Sequence, residues 1–369
     1  MGNKFNPKKK ANKEKKEPDK SSETNTINDS NLNQQIDDQQ IDEDETCKIK
    51  LHLLKKGGHT IDCPIEDVIT FPNLEETIIL GCRSGKIVEM YHIISSTDSI
   101  DSSDLYNCGK RLYSLILLKQ NNNKICVGLE TGIIIFKLNT KNSHSLQKEK
   151  EINDESESPI YSLLELNNGN LISGGKNITL WKKESSTEYT KINSIPTDST
   201  SNSKIINLVE FPYFNTIIAT QENTHIIFLI KNDEASISLI KKIENVSSIS
   251  NKGSAKLLSK NAMLLSGKFA LNAIDSSNGD VVSKYPGIDR GSLIKLLGND
   301  DMNGFWVVSN FMGRHFEFYE QEGNDLIYVG KNKQNEIGWG NGLVRINDEC
   351  FVAFNHYGTI FVFKVDYTN

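Results

Sequence analysis

One segment recurs along this chain: an apolar run, a small polar turn, and a second apolar run. It reads IILGCRSGKIV at Ile78 to Val88, ICVGLETGIII at Ile125 to Ile135, and LISGGKNITLW at Leu171 to Trp181. Looser copies lie at Ile217 to Phe228, Leu264 to Ile274, Val307 to Phe318 and Val352 to Phe363. Aligning the end of the first run on Gly81, Gly128, Gly174, Thr220, Gly267, Asn310 and Asn355 leaves gaps of 47, 46, 46, 47, 43 and 45 residues. A fixed period of this size marks a repeat architecture, and a four-stranded propeller blade takes about 40–45 residues. Small loop insertions account for the excess.

A third apolar run precedes each pair, as at Asp67 to Phe71, Leu112 to Leu117, Ile160 to Glu165 and Ile205 to Glu210. Turns such as 121–124 (NNNK) and 167–170 (NNGN) separate it from the pair. Asn and Gly tolerate the backbone conformations that hairpin turns need. A weaker fourth run lies between units, as at Ala235 to Ile243 and Asp325 to Val329. The expectation is an all-β fold, a seven-bladed β-propeller of four-stranded blades. A β-sandwich array or a pair of barrels would use similar strands. Neither explains seven even units together with a spare strand at the N-terminal end, Lys48 to Leu54. The last unit is one strand short, so this spare strand is expected to close the ring and remove an exposed sheet edge.

The first unit also carries Gly58-His59-Thr60, then Asp67 to Pro72, then Leu80-Gly81 through Gly85-Lys86-Ile87. This resembles the WD-repeat family's Gly-His, strand and Gly-x-x-x-Gly pattern, and Trp181 stands where the family places a Trp. The resemblance spans about residues 48–366. The motifs are degenerate, with no Trp-Asp dipeptide and a single Gly-His. The family likeness implies a structural role for His59 within its blade. It also implies a binding face built from the loops entering the inner strands and those joining the second and third strands. At such positions stand Glu66, Arg83, Arg111, Glu130, Arg290, Phe311, Trp339, His356 and Tyr357. Trp, Tyr and Arg are the usual anchors of protein interfaces. Arg111 and Arg290 each follow a turn and precede an inner strand, where an unpaired charge is costly to bury. Blade packing is the competing reading for Phe311 and Trp339.

Before the repeat, residues 1–46 form a tail of opposite charges, and residues 47–369 are the expected propeller. Gly2 to Lys20 holds eight Lys against three acidic residues, and Ser21 to Thr46 holds eight acidic residues and no basic one. A segment so poor in apolar groups is expected to be disordered, because burial cannot offset its ordering entropy. Two readings attach to the lysine block. Gly2 begins a partial myristoylation signal, with Asn6 where Ser or Thr is preferred, and lysines beside a lipid chain favour an anionic leaflet. The same lysines suit nuclear localisation. Peripheral membrane contact is therefore an expectation of the tail. The adjacent arginines of phosphoinositide-binding propellers are absent.

Catalytic chemistry finds no carrier. The seven histidines lack metal-ligand spacing, and there is no Gly-x-Ser-x-Gly elbow or phosphate-binding loop. Asp154 to Glu157 reads as a solvated acidic loop. No metal or cofactor is expected. The net charge is −6, and only five residues are Arg, which argues against sequence-specific nucleic-acid binding. The six cysteines have no C-x-x-C spacing, so reduced thiols in a cytoplasmic protein are the simple reading. The function expected is a non-enzymatic scaffold that binds a protein partner through its loop face.

Overall fold

The computed structural model describes residues 49–369 apart from 58–63, 72–73, 75, 95–99, 122, 140–143, 154–157, 198–203, 212–213, 222–226, 234, 244–254, 260–261, 267–270, 276, 286–293, 298–304, 311–314, 324, 334–339, 348, 356–357 and 368–369. Strand β1 (Ile49–Gly57) comes first. Blade 1 is then β2 (Ile65–Thr70), β3 (Ile78–Cys82), β4 (Lys86–Tyr91) and β5 (Asp101–Asn107). Blade 2 is β6 (Leu112–Leu117), β7 (Lys124–Leu129), β8 (Ile133–Asn139) and β9 (Ser145–Ile152). Blade 3 is β10 (Ser162–Glu165), β11 (Leu171–Gly174), β12 (Asn177–Lys183) and β13 (Tyr189–Pro196). Blade 4 is β14 (Ile205–Phe211), β15 (Thr216–Gln221), β16 (Ile227–Asp233) and β17 (Ser236–Ile243). Blade 5 is β18 (Ala255–Ser259), β19 (Ala262–Ser266), β20 (Leu271–Asp275) and β21 (Val281–Tyr285). Blade 6 is β22 (Ile294–Leu297), β23 (Phe305–Asn310), β24 (His315–Glu322) and β25 (Asp325–Lys333). Blade 7 holds β26 (Gly340–Arg345), β27 (Cys350–Asn355) and β28 (Ile360–Tyr367).

These strands form seven four-stranded antiparallel sheets, and the fourth strand of blade 7 is β1. It pairs with β28 from Ile49 opposite Tyr367 to Gly57 opposite Ile360. The expected closure by the N-terminal strand is what the structure has. Inner strands of successive blades lie beside one another around the ring, from β2 past β6, β10, β14 and β18, and from β22 to β26 and back to β2.

Alternate residues of a strand face opposite sides of its sheet, and here both sides are covered by neighbouring blades. The middle strands are therefore buried throughout, as in β3, β7 and β27, and read as unbroken apolar runs. Ile79 and Ile87 of blade 1 pack with Val127, Ile134 and Phe136 of blade 2. Ile133 and Ile135 of blade 2 meet Leu171 and Trp181 of blade 3. Between blades 6 and 7, Val307, Phe316 and Phe318 pack against Phe351, Phe361 and Phe363. The seam of blades 5 and 6 includes a bond from Gln321 Nε2 to the Leu258 carbonyl (2.7 Å).

A polar thread runs between blades as well. Asp67 Oδ2 accepts the Leu115 N–H (3.0 Å), Ser114 Oγ donates to the Ile160 carbonyl (3.0 Å), and Ser162 Oγ donates to the Ile205 carbonyl (2.8 Å). Opposite these three inner-strand residues stand Gly81, Gly128 and Gly174. In the last unit the pairing partner is Phe354, opposite Gly342, with Asn355 one position further on. Thus the sequence alignment on Asn355 is corrected by one residue. The reason is steric. A Cβ at Gly342 would lie 2.1 Å from the Phe354 ring, so the small residue has moved to the inner strand and the large one to its partner.

Glu165 ends β10 and is 1% exposed. Its Oε2 accepts the backbone N–H of Lys119, and of Gln120 at 3.4 Å, which ties blade 3 to the β6–β7 turn of blade 2. Its other oxygen has no hydrogen-bond partner among the described residues. Burial pushes the carboxyl up, against the lowering effect of those two bonds and of Lys183 and Lys119. A raised folded value means its stabilising contribution is complete below the unfolded range, about pH 4.3. The contribution is then lost as pH rises through the folded value. Urea midpoints measured from acid to neutral pH should fall less for Glu165→Gln than for the parent chain. Parallel curves would refute this.

Candidate functional site

The turns between second and third strands lie at the same end of each blade as the start of its inner strand. Backbone bonds lock them together: Arg83 N–H donates to the Pro64 carbonyl and Glu130 N–H to the Arg111 carbonyl, both at 2.9 Å. Four of the residues singled out from the sequence therefore share this end: Glu66, Arg83, Arg111 and Glu130. Glu66 pairs with Arg83 through the guanidinium Nε, so these two satisfy each other. Arg111 and Glu130 are joined only through backbone, and both side chains are exposed. Arg290, Phe311, Trp339, His356 and Tyr357 lie outside the described residues, as do Gly2 and His59.

The neighbouring charges are largely matched. Lys86 pairs with Asp104 (3.2 Å) and Lys110 with Glu151 (3.1 Å). Glu151 also takes the Lys148 ammonium, and the two lysines, Lys148 first, hold its carboxyl below the usual carboxylate range. Arg111 has no such partner among the described residues.

The inner strands begin irregularly, and this shapes the site. In blades 1, 2, 4 and 7 the register with the second strand slips near the start of the inner strand, leaving Glu66, Tyr113, Ile206 and Asn341 as the extra residues. Such bulges re-aim a side chain. Tyr113 meets Tyr161, which directly precedes β10, edge to face at 5.0 Å between ring centroids. The ammonium of Lys204, directly before β14, sits 5.1 Å from the centre of the Tyr161 ring. One residue from each of blades 2, 3 and 4 thus forms a continuous aromatic and cationic stack, and all three are half-buried. Edge-to-face rings and a cation over a ring face are both favourable geometries. This stack escaped the sequence reading, which placed Tyr113 and Tyr161 within strand runs and left Lys204 just ahead of one. Its signal was the tripeptide Tyr-Ser-Leu, present at both Tyr113 and Tyr161.

Two buried carboxylates lie deeper in the ring. Glu89 of blade 1 pairs with His144 Nδ1 of blade 2. Glu317 lies 2.8 Å from His315 Nε2 and accepts the Tyr319 hydroxyl at 2.7 Å. Burial, then the Glu317 charge, pushes the Tyr319 phenol far up. Both carboxylates are 3% exposed and act within the ring's packing. The thiols of Cys82, Cys126 and Cys350 are buried and form no disulfide among the described residues, and burial pushes Cys126 strongly up. Among the described residues no three metal-capable side chains converge.

No protein-family model and no curated protein matches the chain. Solved structures do. The WD40 β-propeller domain of Doa1 superposes with a TM-score of 0.61 at 16% identity, over 85% of this chain and 97% of that one. A chain of the mitotic checkpoint complex superposes with a TM-score of 0.60 at 11% identity, over 82% of this chain and 92% of that one. At such identities the likeness establishes the fold.

Proposed function

We propose that this WD40-type propeller is a non-enzymatic intracellular scaffold that holds a protein partner on its loop face, over blades 2 to 4. The observation that carries this is the Tyr113–Tyr161–Lys204 stack beside the exposed Arg111 guanidinium. Tyr and Arg concentrate binding energy because they bury a large area at low entropic cost and still offer polar groups. A closed ring supplies the rigid platform that loop-borne contacts require. The solved structures of like fold include an assembly, the mitotic checkpoint complex, in keeping with a partner-binding role. Arg290, Phe311, Trp339, His356 and Tyr357 belong to the same proposal through their place in the repeat.

The test is affinity purification with mass spectrometry from native cells, followed by titration of the recovered partner. Tyr113→Ala or Arg111→Ala should weaken binding by about thirtyfold, the scale of an interface hot spot, without lowering the free energy of urea unfolding by more than about 1 kcal/mol. Retention of every partner at parental affinity by both variants would refute the face assignment.

A further inference from the structure

The outer strands of the ring are of two kinds. Every one of the seven carries a bulge against its neighbour, with Leu105, Glu149, Ile192, Ile240, Val282, Val329 and Leu54 as the extra residues. On β5 and β9 no large hydrophobic side chain is exposed among the described residues, and β13 exposes a single one, Ile192 (39%). On blades 4 to 7 the pattern changes. β17 exposes Leu239 and Ile240 (45% and 51%), and β21 exposes Val281 and Val282 (40% and 51%). β25 repeats this with Ile327 and Tyr328, and β1 with Leu53 and Leu54.

The rims of blades 4 and 5 are tied together next to the pairs on β17 and β21. Lys241 Nζ donates to the Asn278 carbonyl and to Asp280 Oδ1, both at 3.2 Å, across the two blades. Gly279 lies against Ile243, where a Cβ would come within 2.1 Å. Lysine accompanies the apolar residues throughout this arc: three in β1, two in β17, one in β21 and two in β25. The four strands contain one acidic residue, Asp325, and no Arg. Asp280, just ahead of β21, is taken by Lys241.

We propose that the outer rim of blades 4 and 5, centred on Leu239, Ile240, Val281 and Val282, rests on an anionic lipid surface. Composition separates this from a protein interface. Protein contacts concentrate Trp, Tyr and Arg and are depleted in Lys, whereas β17 carries two Lys and β21 one, and neither strand has Trp or Arg. The bulges at Ile240 and Val282 break the edge, so a partner strand cannot extend the sheet there. Short aliphatic side chains flanked by lysine suit a headgroup boundary, where apolar groups enter and ammonium groups stay at the phosphates. A ring meeting a flat surface on its rim engages neighbouring blades, and blades 4 and 5 each hold an exposed pair. The loop face stays open in that orientation, so this contact is independent of partner binding there.

The experiment is co-sedimentation of the full chain with vesicles of phosphatidylcholine alone or mixed with phosphatidylserine. Binding to the mixed vesicles, weakened by salt, is expected. Changing Leu239, Ile240, Val281 and Val282 together to Ser should lower it at least about tenfold, while thermal unfolding remains cooperative. A second variant, Ile240→Trp, should show a blue-shifted emission on mixed vesicles and quenching by brominated lipid. This reading holds even where the fourfold variant fails to fold. The proposal is overturned by absence of binding at low salt, or by an Ile240→Trp emission that vesicles do not change. It is equally overturned if changing Lys8, Lys9 and Lys10 to Ser abolishes binding while the fourfold variant retains it. That result would place the membrane contact in the tail.

Discussion

A chain that starts at residue 57 is expected to lose the cooperative unfolding that a chain starting at residue 47 keeps. The difference is β1. Its Ile49 and Leu51 are 1% and 8% exposed and pack with Phe351, Phe363 and Val365. Eight positions of β1 pair with β28. Each buried aliphatic side chain contributes about 1.5–3 kcal/mol, and each hydrogen bond about 0.5–1.5 kcal/mol net. Their loss approaches the whole stability of a typical domain, about 5–15 kcal/mol. It also turns β28 into an unprotected edge, so aggregation should accompany unfolding. Urea titration followed by circular dichroism decides it. A shared midpoint for the two truncations would mean that β1 is dispensable.

Gly174→Val is the second large effect, at about 3 kcal/mol of destabilisation. A Cβ at Gly174 would lie 2.3 Å from Ser162 Oγ and 2.6 Å from Ile205 Cγ2. Ser162 belongs to the same blade, but Ile205 opens the inner strand of the next. The added side chain therefore strains a seam as well as a sheet. It also pushes against the Ser162 bond to the Ile205 carbonyl, which adds the loss of a buried hydrogen bond. Thr220 occupies the matching place in blade 4, where Asn207 Nδ2 donates to its hydroxyl at 2.9 Å. Hence the position is not closed to side chains in principle. What closes it in blade 3 is the neighbour. A thermal midpoint for Gly174→Val within error of the parent would show that blade 4 can retreat without cost.

The repeat was legible because every blade solves the same problem. Strands covered on both faces need apolar residues at consecutive positions, and turns need Gly or Asn, so a period of about 46 residues survives even where motifs have decayed. The closing strand was legible for the same reason: a seventh unit lacking a strand and a spare strand at Ile49 are complementary. Register was less so. Asn355 matched Gly81 by spacing, but pairing puts Phe354 there, because in blade 7 the glycine of the pair, Gly342, stands on the inner strand and the large residue on its partner. Side-chain volume across a strand pair leaves no periodic mark.

The candidate site divides along a similar line. Glu66, Arg83, Arg111 and Glu130 could be placed at one end of their blades from turn positions alone. That Glu66 and Arg83 neutralise each other while Arg111 has no ion-pair partner among the described residues depends on side-chain geometry. Tyr113, Tyr161 and Lys204 belong to three blades, and successive ones stand 48 and 43 residues apart in the chain. They meet because the starts of neighbouring inner strands lie side by side.

By itself, then, the sequence determined that seven four-stranded units close into a ring through residues near 49, because burial on both faces of each sheet dictates composition locally. Only the tertiary structure decided which charges are matched, which rings touch and which arc of the rim is apolar. Those properties arise between blades, where residues of different repeats come within a few ångströms and no local pattern records the encounter.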